Sequence, residues 1–406
     1  MIFKSILIST YTFIYSGIRT NNSGPVIPML NFFKDNVKKI YLIEQPLPGS
    51  DFLDVQLTKI IDGREVGKAK KNFFFSTYSY RLNSEKTYFI LKLRDIISNF
   101  YFIITNYKEI KKDKIDLYIG VECVNAIFGI ILKKFGMVNK VIYYIFDWSP
   151  YRYSNLFMNK AYLLLDQFAT YYSDYTWNIT YTIPIAKKDI LGYNKNKMSA
   201  QLYVPYCVDF KERRILPDDK IDTNLIIYSG GLIEENGPQI LLRAYKIVLD
   251  KFPNSKLLII GGGGVENELK GYIINNNMEE NVKITGYIAE EEKIFDMQCK
   301  GAIGVAPYPI MKGSRKPYGD VIKIRMYFAC GLVTVTTPVP PVSKEIEEEK
   351  LGYKTINDSP EEIAKGICLF LKNKDLIFKY RKNVIEKAKL NTWEKNYAGA
   401  LREMGS

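Results

Sequence analysis

From Leu225 to Gly264 the chain reads LIIYSGGLIEENGPQILLRAYKIVLDKFPNSKLLIIGGGG. LIIY and KLLII are short, near-continuous apolar runs, the pattern of parallel strands buried on both faces. Between them Ile240, Leu241, Ala244, Tyr245, Val248 and Leu249 recur at helical spacing, and Pro253-Asn254 closes that helix. The pattern predicts one βαβ unit with glycines at the end of each strand. In open α/β sheets ligands gather at the carboxyl ends of the strands, and glycine there lets a backbone approach a phosphate. A glycine that merely supplies positive φ is the alternative. Two glycine-rich strand ends side by side point to a ligand crevice.

The same alternation runs along the rest of the chain. KSILIST reads as the first strand, SGPVIPMLNFFKDN as a helix entered at Ser23-Gly24-Pro25, and KKIYLIEQ, IDLYIGV and VIYYIFD as further strands. Within residues 85–114, Phe89, Leu93, Ile96, Ile97, Phe100 and Ile104 mark one helix face, with Tyr101, Tyr107 and the lysines from Lys108 to Lys114 around it. That mixture suits a membrane-lying helix; an amphipathic core helix is the commoner arrangement. Two segments imitate membrane insertion. Ile6–Gly17 lacks a small-residue cleavage site and reads better as an opening strand; Ile115–Leu132 contains Asp116 and Glu122 and splits into strand, turn and helix. A hinge is expected near Pro205–Asp222, followed by strands NVKITGYI and GAIGVAPY, a helix around IKIRMYFACG, a strand LVTVTT and a last short helix NTWEKNYAGALREM.

Length and charge refine this picture. A chain of 406 residues is too long for one ordinary core and implies two domains. Five widely spaced cysteines with no CxxC pair argue against a disulfide framework or zinc site and for a reducing compartment. The absence of histidine removes Ser-His-Asp, Cys-His and HExxH chemistry, so any acid-base work falls to Asp, Glu, Tyr, Lys or the substrate. Residues 1–205 carry 27 Lys/Arg against 16 Asp/Glu, whereas residues 206–406 carry 30 against 28. A basic first half points to an anionic partner, and without an Arg-rich run or nucleic-acid motif the membrane surface ranks ahead of nucleic acid. Ordinary solvated lysines are the plain alternative.

Two Rossmann-like halves joined by a hinge resemble a GT-B glycosyltransferase of the family 4, or group 1, type. The resemblance is strongest over Leu225–Gly352. YSGGL…NGPQILLRAY resembles that family's glycine loop and following helix, KLLIIGGG…NVKITGYI its next strand pair, and GAIGVAPYP, GDVIKIRMYFACGLVTVTTP and EEEKLGY its nucleotide-sugar segment. Trp393 in NTWEKNYAGAL resembles the final helix that crosses back onto the first domain. The resemblance implies an α/β fold of two Rossmann-like domains facing each other across a cleft: residues 1–205 for the acceptor, 206–385 for the donor, and 386–406 as a returning helix. The cysteine pattern and the basic first half add the expectation of a cytoplasmic enzyme, peripheral on the inner face of a membrane where the basic half serves a membrane-bound acceptor.

The departures from the family pattern locate the candidate site. Family members often carry Arg and Lys after the glycine turn to grip the donor diphosphate; Gly231 and Asn236 occupy those places. Two glutamates of the family fall on Tyr318 and Met326, while Lys323 matches a family variant with Lys three places before the second. The expected replacement is the loop PIMKGSRKPYGD, which holds Lys312, Arg315, Lys316, Tyr318, Gly319 and Asp320, with Lys323 one turn into the next helix. With Gly230 and Gly231 these make the candidate donor site. Asp147 takes the polar role where relatives often have histidine (Phe146 fills that place), or else caps a turn before Ser149-Pro150. Ser23 and Gly24 fall where the family's acceptor approaches. The reading is a hexosyl transferase moving sugar from a nucleotide-diphosphate donor to a glycan or lipid-linked acceptor, without metal or other cofactor. Retention needs no protein base, whereas inversion would need Asp147 or Glu122. The alternatives are a non-catalytic GT-B-like binding protein and a nucleotide-sugar epimerase on the same fold.

Overall fold

The computed structural model describes residues 3–15, 18–19, 25–51, 53–73, 85–211 and 214–405. The chain divides into two compact units, Met1–Pro205 with Asn396–Ser406, and Tyr206–Lys395. Each is an α/β unit built on its own parallel sheet.

The first unit contains strands β1 (Phe3–Thr12), β4 (Val37–Pro46), β5 (Val55–Ile61), β6 (Arg64–Lys71), β7 (Ile115–Val121), β8 (Val138–Ile145), β9 (Tyr175–Asn178) and β10 (Ala200–Tyr203). A small antiparallel ribbon, β2 (Ile14–Tyr15) and β3 (Ile18–Arg19), follows β1. The sheet order is β10-β9-β8-β7-β1-β4-β5-β6, parallel except for the β5 and β6 edge. From Ser5 to Thr12 every residue of β1 is buried, which suits a strand covered on both faces. The chain leaves β1 for β4 on one side and later returns to β7 on the other. That reversal puts a crevice at the carboxyl ends of β1 and β7. The helices are α1 (Val26–Asn36), α2 (Glu85–Thr105), α3 (Tyr107–Asp113), α4 (Glu122–Lys134), α5 (Leu156–Tyr172) and α6 (Thr182–Asp189).

Helix α2 is turned against its apolar pattern. The stripe through Leu93, Ile97, Phe100 and Ile104 faces solvent, and the buried face carries Arg94, Asp95, Ser98 and Asn99. The reason lies in its neighbours. Asn99 accepts from Ser9 (2.7 Å) and donates to Asn125 (2.9 Å), Asn125 exchanges bonds with Gln45 (3.0 and 3.2 Å), and Asp95 accepts from Tyr11 (3.0 Å) and Arg94 (2.7 Å). β1, β4 and α4 thus present polar groups to α2, and leaving those unpaired would cost more than exposing leucine and isoleucine. The core-helix expectation for this apolar face is therefore corrected.

The second unit has strands β11 (Asp222–Ser229), β12 (Lys256–Ile260), β13 (Val282–Ile284), β14 (Gly301–Ala306), β15 (Val333–Thr336) and β16 (Gly352–Lys354), all parallel, in the order β13-β12-β11-β14-β15-β16. This is the doubly wound order, with its reversal between β11 and β14. Helices α7 (Pro238–Lys251), α8 (Glu266–Asn275), α9 (Glu291–Gln298), α10 (Ile322–Ala329), α11 (Ser343–Glu348), α12 (Pro360–Lys372) and α13 (Lys374–Leu390) cover it. Helix α13 runs unbroken through residue 385 and the unit extends to Lys395, ten residues beyond the expected limit. In the last helix, α14 (Trp393–Glu403), the Trp393 ring lies 5.1 Å from that of Tyr206. Further along α14, Tyr397 is buried against Trp177 (5.9 Å between ring centres) and donates to the Pro25 carbonyl (3.2 Å).

The orientation of α2 is open to a direct test by urea unfolding. Asn99→Leu strips partners from Ser9 and Asn125 and is expected to destabilise the protein by about 2–3 kcal/mol. Ile97→Ser, on the exposed stripe, should change stability by less than about 0.5 kcal/mol. The reverse ranking would mean that the helix buries its apolar face.

Candidate functional site

At the reversal point of the second sheet, Tyr327 of α10 ties the two diverging strands together. Its hydroxyl accepts from the Ser229 amide (2.9 Å) and donates to the Val305 carbonyl (3.1 Å). Beyond β11 the chain turns at Gly230, with φ 138°. The neighbouring glycine turn after β12 lies directly against it: a Cβ on Gly261 would meet the Gly230 oxygen at 2.1 Å. Glycine is thus required here to let two strand ends converge. The amides of Gly230 and Leu232 are already given to Ile260 (2.9 Å) and Gly262 (3.0 Å), so the loop is braced before any ligand arrives.

Lys323, in the first turn of α10, projects into this point. A Cβ at Gly230 would meet its Cε and Nζ at 3.0 Å, so the glycine makes room for the lysine. The side chain is buried, and its Nζ has no hydrogen-bond partner among the described residues. It lies over the rings of Tyr228 (4.3 Å) and Tyr308 (4.9 Å). Burial, reinforced by nearby Lys316, pushes its pKa well below the ordinary lysine value. A buried lysine with no described partner at a strand-end crevice makes this a candidate anion site.

Lys316 supplies the second cation. Its Nζ donates to the Asn236 side chain (2.9 Å) and lies 5.0 Å from the Tyr308 ring. Asn236 in turn donates to the Gly231 carbonyl (2.8 Å). An uncharged residue of the glycine loop therefore holds a charge delivered from another loop. Lys312 and Arg315 of that loop are exposed, and Tyr318 and Gly319 are half-buried. The Asp320 carboxylate is buried and engaged by Arg325 (3.2 and 3.3 Å) and the Tyr206 amide (2.7 Å), while Arg325 also forms a two-pronged pair with Glu345 (2.9 and 3.1 Å). Asp320 thus fixes the start of α10. Of the residues singled out in the sequence, Gly230, Gly231, Lys316 and Lys323 converge, joined by Asn236.

A cavity of 430 Å³ in the same unit is lined by residues including Tyr287, Ile288, Glu290, Lys293 and Met297. It adjoins the glycines, since a Cβ on Gly262 would lie 3.0 Å from the Tyr287 amide. Its signal in the sequence was the loop after β13, another strand end of the same sheet.

In the first unit, Asp147 follows β8. Its side chain is largely exposed and paired with Arg152. Glu122 stands at the crevice itself, on the end of β7, where it adopts a left-handed φ of 66°. Its carboxylate lies 3.4 and 3.3 Å from the amides of Phe146 and Asp147. Burial raises its pKa above the usual carboxylate value, against the opposing pull of Arg152. Ser23 and Gly24 lie outside the described residues. Among the described residues no group of three or more Cys, Asp or Glu side chains is placed to hold a metal ion.

The buried ammonium makes a measurable prediction about stability. In the unfolded chain Lys323 stays protonated up to the ordinary lysine value, but in the fold it loses its proton earlier. Between those two values the unfolded state binds more protons, so stability rises with pH there. Lys323→Met should abolish that rise and stabilise the free protein at neutral pH by about 1–3 kcal/mol. Thermal unfolding across neutral and alkaline pH checks both; a destabilised Met variant would show that the ammonium is already satisfied.

The profile of the family "Glycosyl transferases group 1" matches residues 211–391. Sucrose-phosphate synthase from Thermosynechococcus elongatus shares the fold at a TM-score of 0.67 and 12% identity, over 98% of both chains. Anabaena HepE, solved in complex with UDP, does so at 0.63 and 13%, over 98% of this chain and all (100%) of that one. An uncharacterized glycosyltransferase of Methanocaldococcus jannaschii, MJ1059, is 38% identical over 65 residues; the match spans 16% of this chain and 16% of that protein. The second unit therefore belongs to the group 1 glycosyl transferases, on a chain whose two Rossmann-like units have the GT-B fold.

Proposed function

We propose that this chain transfers a hexosyl group from a nucleoside-diphosphate sugar to a glycan or lipid-linked acceptor, with retention and without a metal ion. The observation that carries the reading is Lys323, buried and without a hydrogen-bond partner among the described residues beside the Gly230 turn, with Lys316 held next to it by Asn236. Breaking the bond between the sugar's anomeric carbon and the diphosphate leaves the bonding pair on a phosphate oxygen. Two ammonium groups in a water-poor crevice stabilise that charge as it develops, the role a divalent cation fills elsewhere. The acceptor hydroxyl attacks the anomeric carbon on the face the diphosphate leaves, and its proton passes to the departing phosphate oxygen. No histidine is needed for that sequence. The cavity beside Tyr287 has room for the nucleoside, and HepE, with UDP bound, supports this class of donor by likeness of fold.

A second reading, a nucleotide-sugar-binding protein without catalysis, draws on Tyr318 and Met326 standing where related sequences carry glutamates. Calorimetry separates the two readings from a third outcome, no nucleotide binding at all. UDP, ADP and GDP are titrated in buffers of different ionisation enthalpy. Because Lys323 has a lowered pKa in the free protein, diphosphate binding should take up protons and weaken as pH rises toward the ordinary lysine value. Lys323→Met should lose the uptake and bind about 10- to 100-fold more weakly, as for a charged hydrogen bond of about 1.5–3 kcal/mol. Lys344→Ala, whose surface lysine pairs with Glu348, should match the wild type. Binding with no turnover of any donor would favour the second reading.

The stereochemistry has its own test. If the leaving phosphate takes the proton, Glu122→Gln should keep activity within about tenfold, and the product should retain the donor's anomeric configuration by NMR. A drop of about a hundred- to ten-thousandfold with an inverted product would assign Glu122 as the general base.

A further inference from the structure

Helix α2 exposes the face that soluble proteins ordinarily bury. Leu93, Ile97, Phe100 and Ile104 follow one another at helical spacing and are 51, 44, 43 and 70% exposed. The helix cannot roll to hide them, because Asp95, Ser98 and Asn99 on its other face are bonded into the unit's polar interior. A continuous apolar stripe held outward in this way marks an interaction surface.

Its surroundings identify the partner. The edge strand β6 reaches it at Lys71, which is exposed, and Arg64, also exposed, shares that face of the strand, while Lys68 and Lys70 lie on the other. Lys71 Nζ lies 5.7 Å from the ring of Tyr101 on α2, and Lys111 Nζ lies 5.5 Å from the ring of Tyr107 at the start of α3. The two acids of α3 do not offset these lysines, since Glu109 pairs with Lys59 (2.5 Å) and Asp113 with Lys39 of the sheet. The fringe of the stripe is therefore of one sign. A second copy of this unit would bring the same positive fringe and be repelled, whereas an anionic surface attracts it. No helix among the described residues is long and apolar enough to cross a membrane, so the contact would lie along a surface.

We propose that the α2 stripe, with Lys71 of β6 and the lysines of α3, docks on an anionic lipid bilayer. The aliphatic and aromatic side chains enter the headgroup boundary while the ammonium groups meet lipid phosphates. This holds whichever reaction the second unit performs.

The full chain is floated with vesicles of phosphatidylcholine alone and of phosphatidylcholine mixed with phosphatidylglycerol. Binding to the mixed vesicles, released by high salt, and little binding to the neutral ones is expected. Two variants are compared: Leu93→Ser/Ile97→Ser/Ile104→Ser, and Lys71→Glu/Lys111→Glu. Each should bind the mixed vesicles about tenfold more weakly or worse, with unchanged thermal unfolding. Wild-type-like binding by either soluble variant overturns the proposal, as does equal binding of the wild type to both vesicles. So does a wild type that ignores vesicles but self-associates in sedimentation velocity and becomes monomeric in the triple variant; the stripe would then join two copies.

Discussion

A parallel sheet whose strand order reverses leaves a gap at the carboxyl ends of the two central strands, because the connections leave them in opposite directions. The second unit is organised around that gap. Tyr327 spans β11 and β14, the Gly230 and Gly261 turns close on each other, and α10 starts where its Lys323 must enter the opening. The buried pair of Arg325 with Asp320 and Glu345 fixes that start by fastening α10 to the preceding loop and to α11. The ammonium in the gap is the element without a structural purpose: it bonds to nothing described, and burial works against its charge. Residues retained at a cost to the free protein are those that a ligand satisfies.

Much of this frame was legible in the sequence. The apolar runs at Leu225–Tyr228 and Lys256–Ile260, with helical periodicity between them, form β11, α7 and β12, and Ile115–Val121 is a strand over its whole length. Continuous buried runs and glycine-ended strands have few alternative structures, so local pattern suffices there. Helix α2 shows where pattern fails. Its period was correct, but which face is buried depends on Ser9, Gln45 and Asn125, side chains distant in sequence that supply polar partners. Periodicity tells that a helix has two faces; only the neighbours tell which one is covered.

The candidate site divides in the same way. Lys323 and Lys316 could be picked out because both flank a predicted helix start near a strand end. Asn236 could be noted only for lacking charge. Its bonds to Lys316 and Gly231 are a tertiary fact, and they turn a missing cation into one supplied by a different loop. The left-handed backbone of Glu122 was equally hidden, since a non-glycine residue at positive φ leaves no mark in composition. It is visible only once β7 and α4 are seen to abut with no loop between them.

The loss of histidine ties these features together. A phosphate-binding crevice in a protein without imidazole must draw positive charge from Lys or Arg, whose ordinary pKa values lie far above neutrality. A lysine made useful by burial differs from an exposed one, because its charge depends on the company it keeps. Lys323 sits between aromatic faces that favour the charged form weakly and a low-dielectric interior that disfavours it more strongly. On the proposed function, an arriving diphosphate would reverse that balance, and charge would develop at the crevice when the ligand supplies its counterpart. Ligand-coupled charge would make the crevice selective for anions that fully enter it.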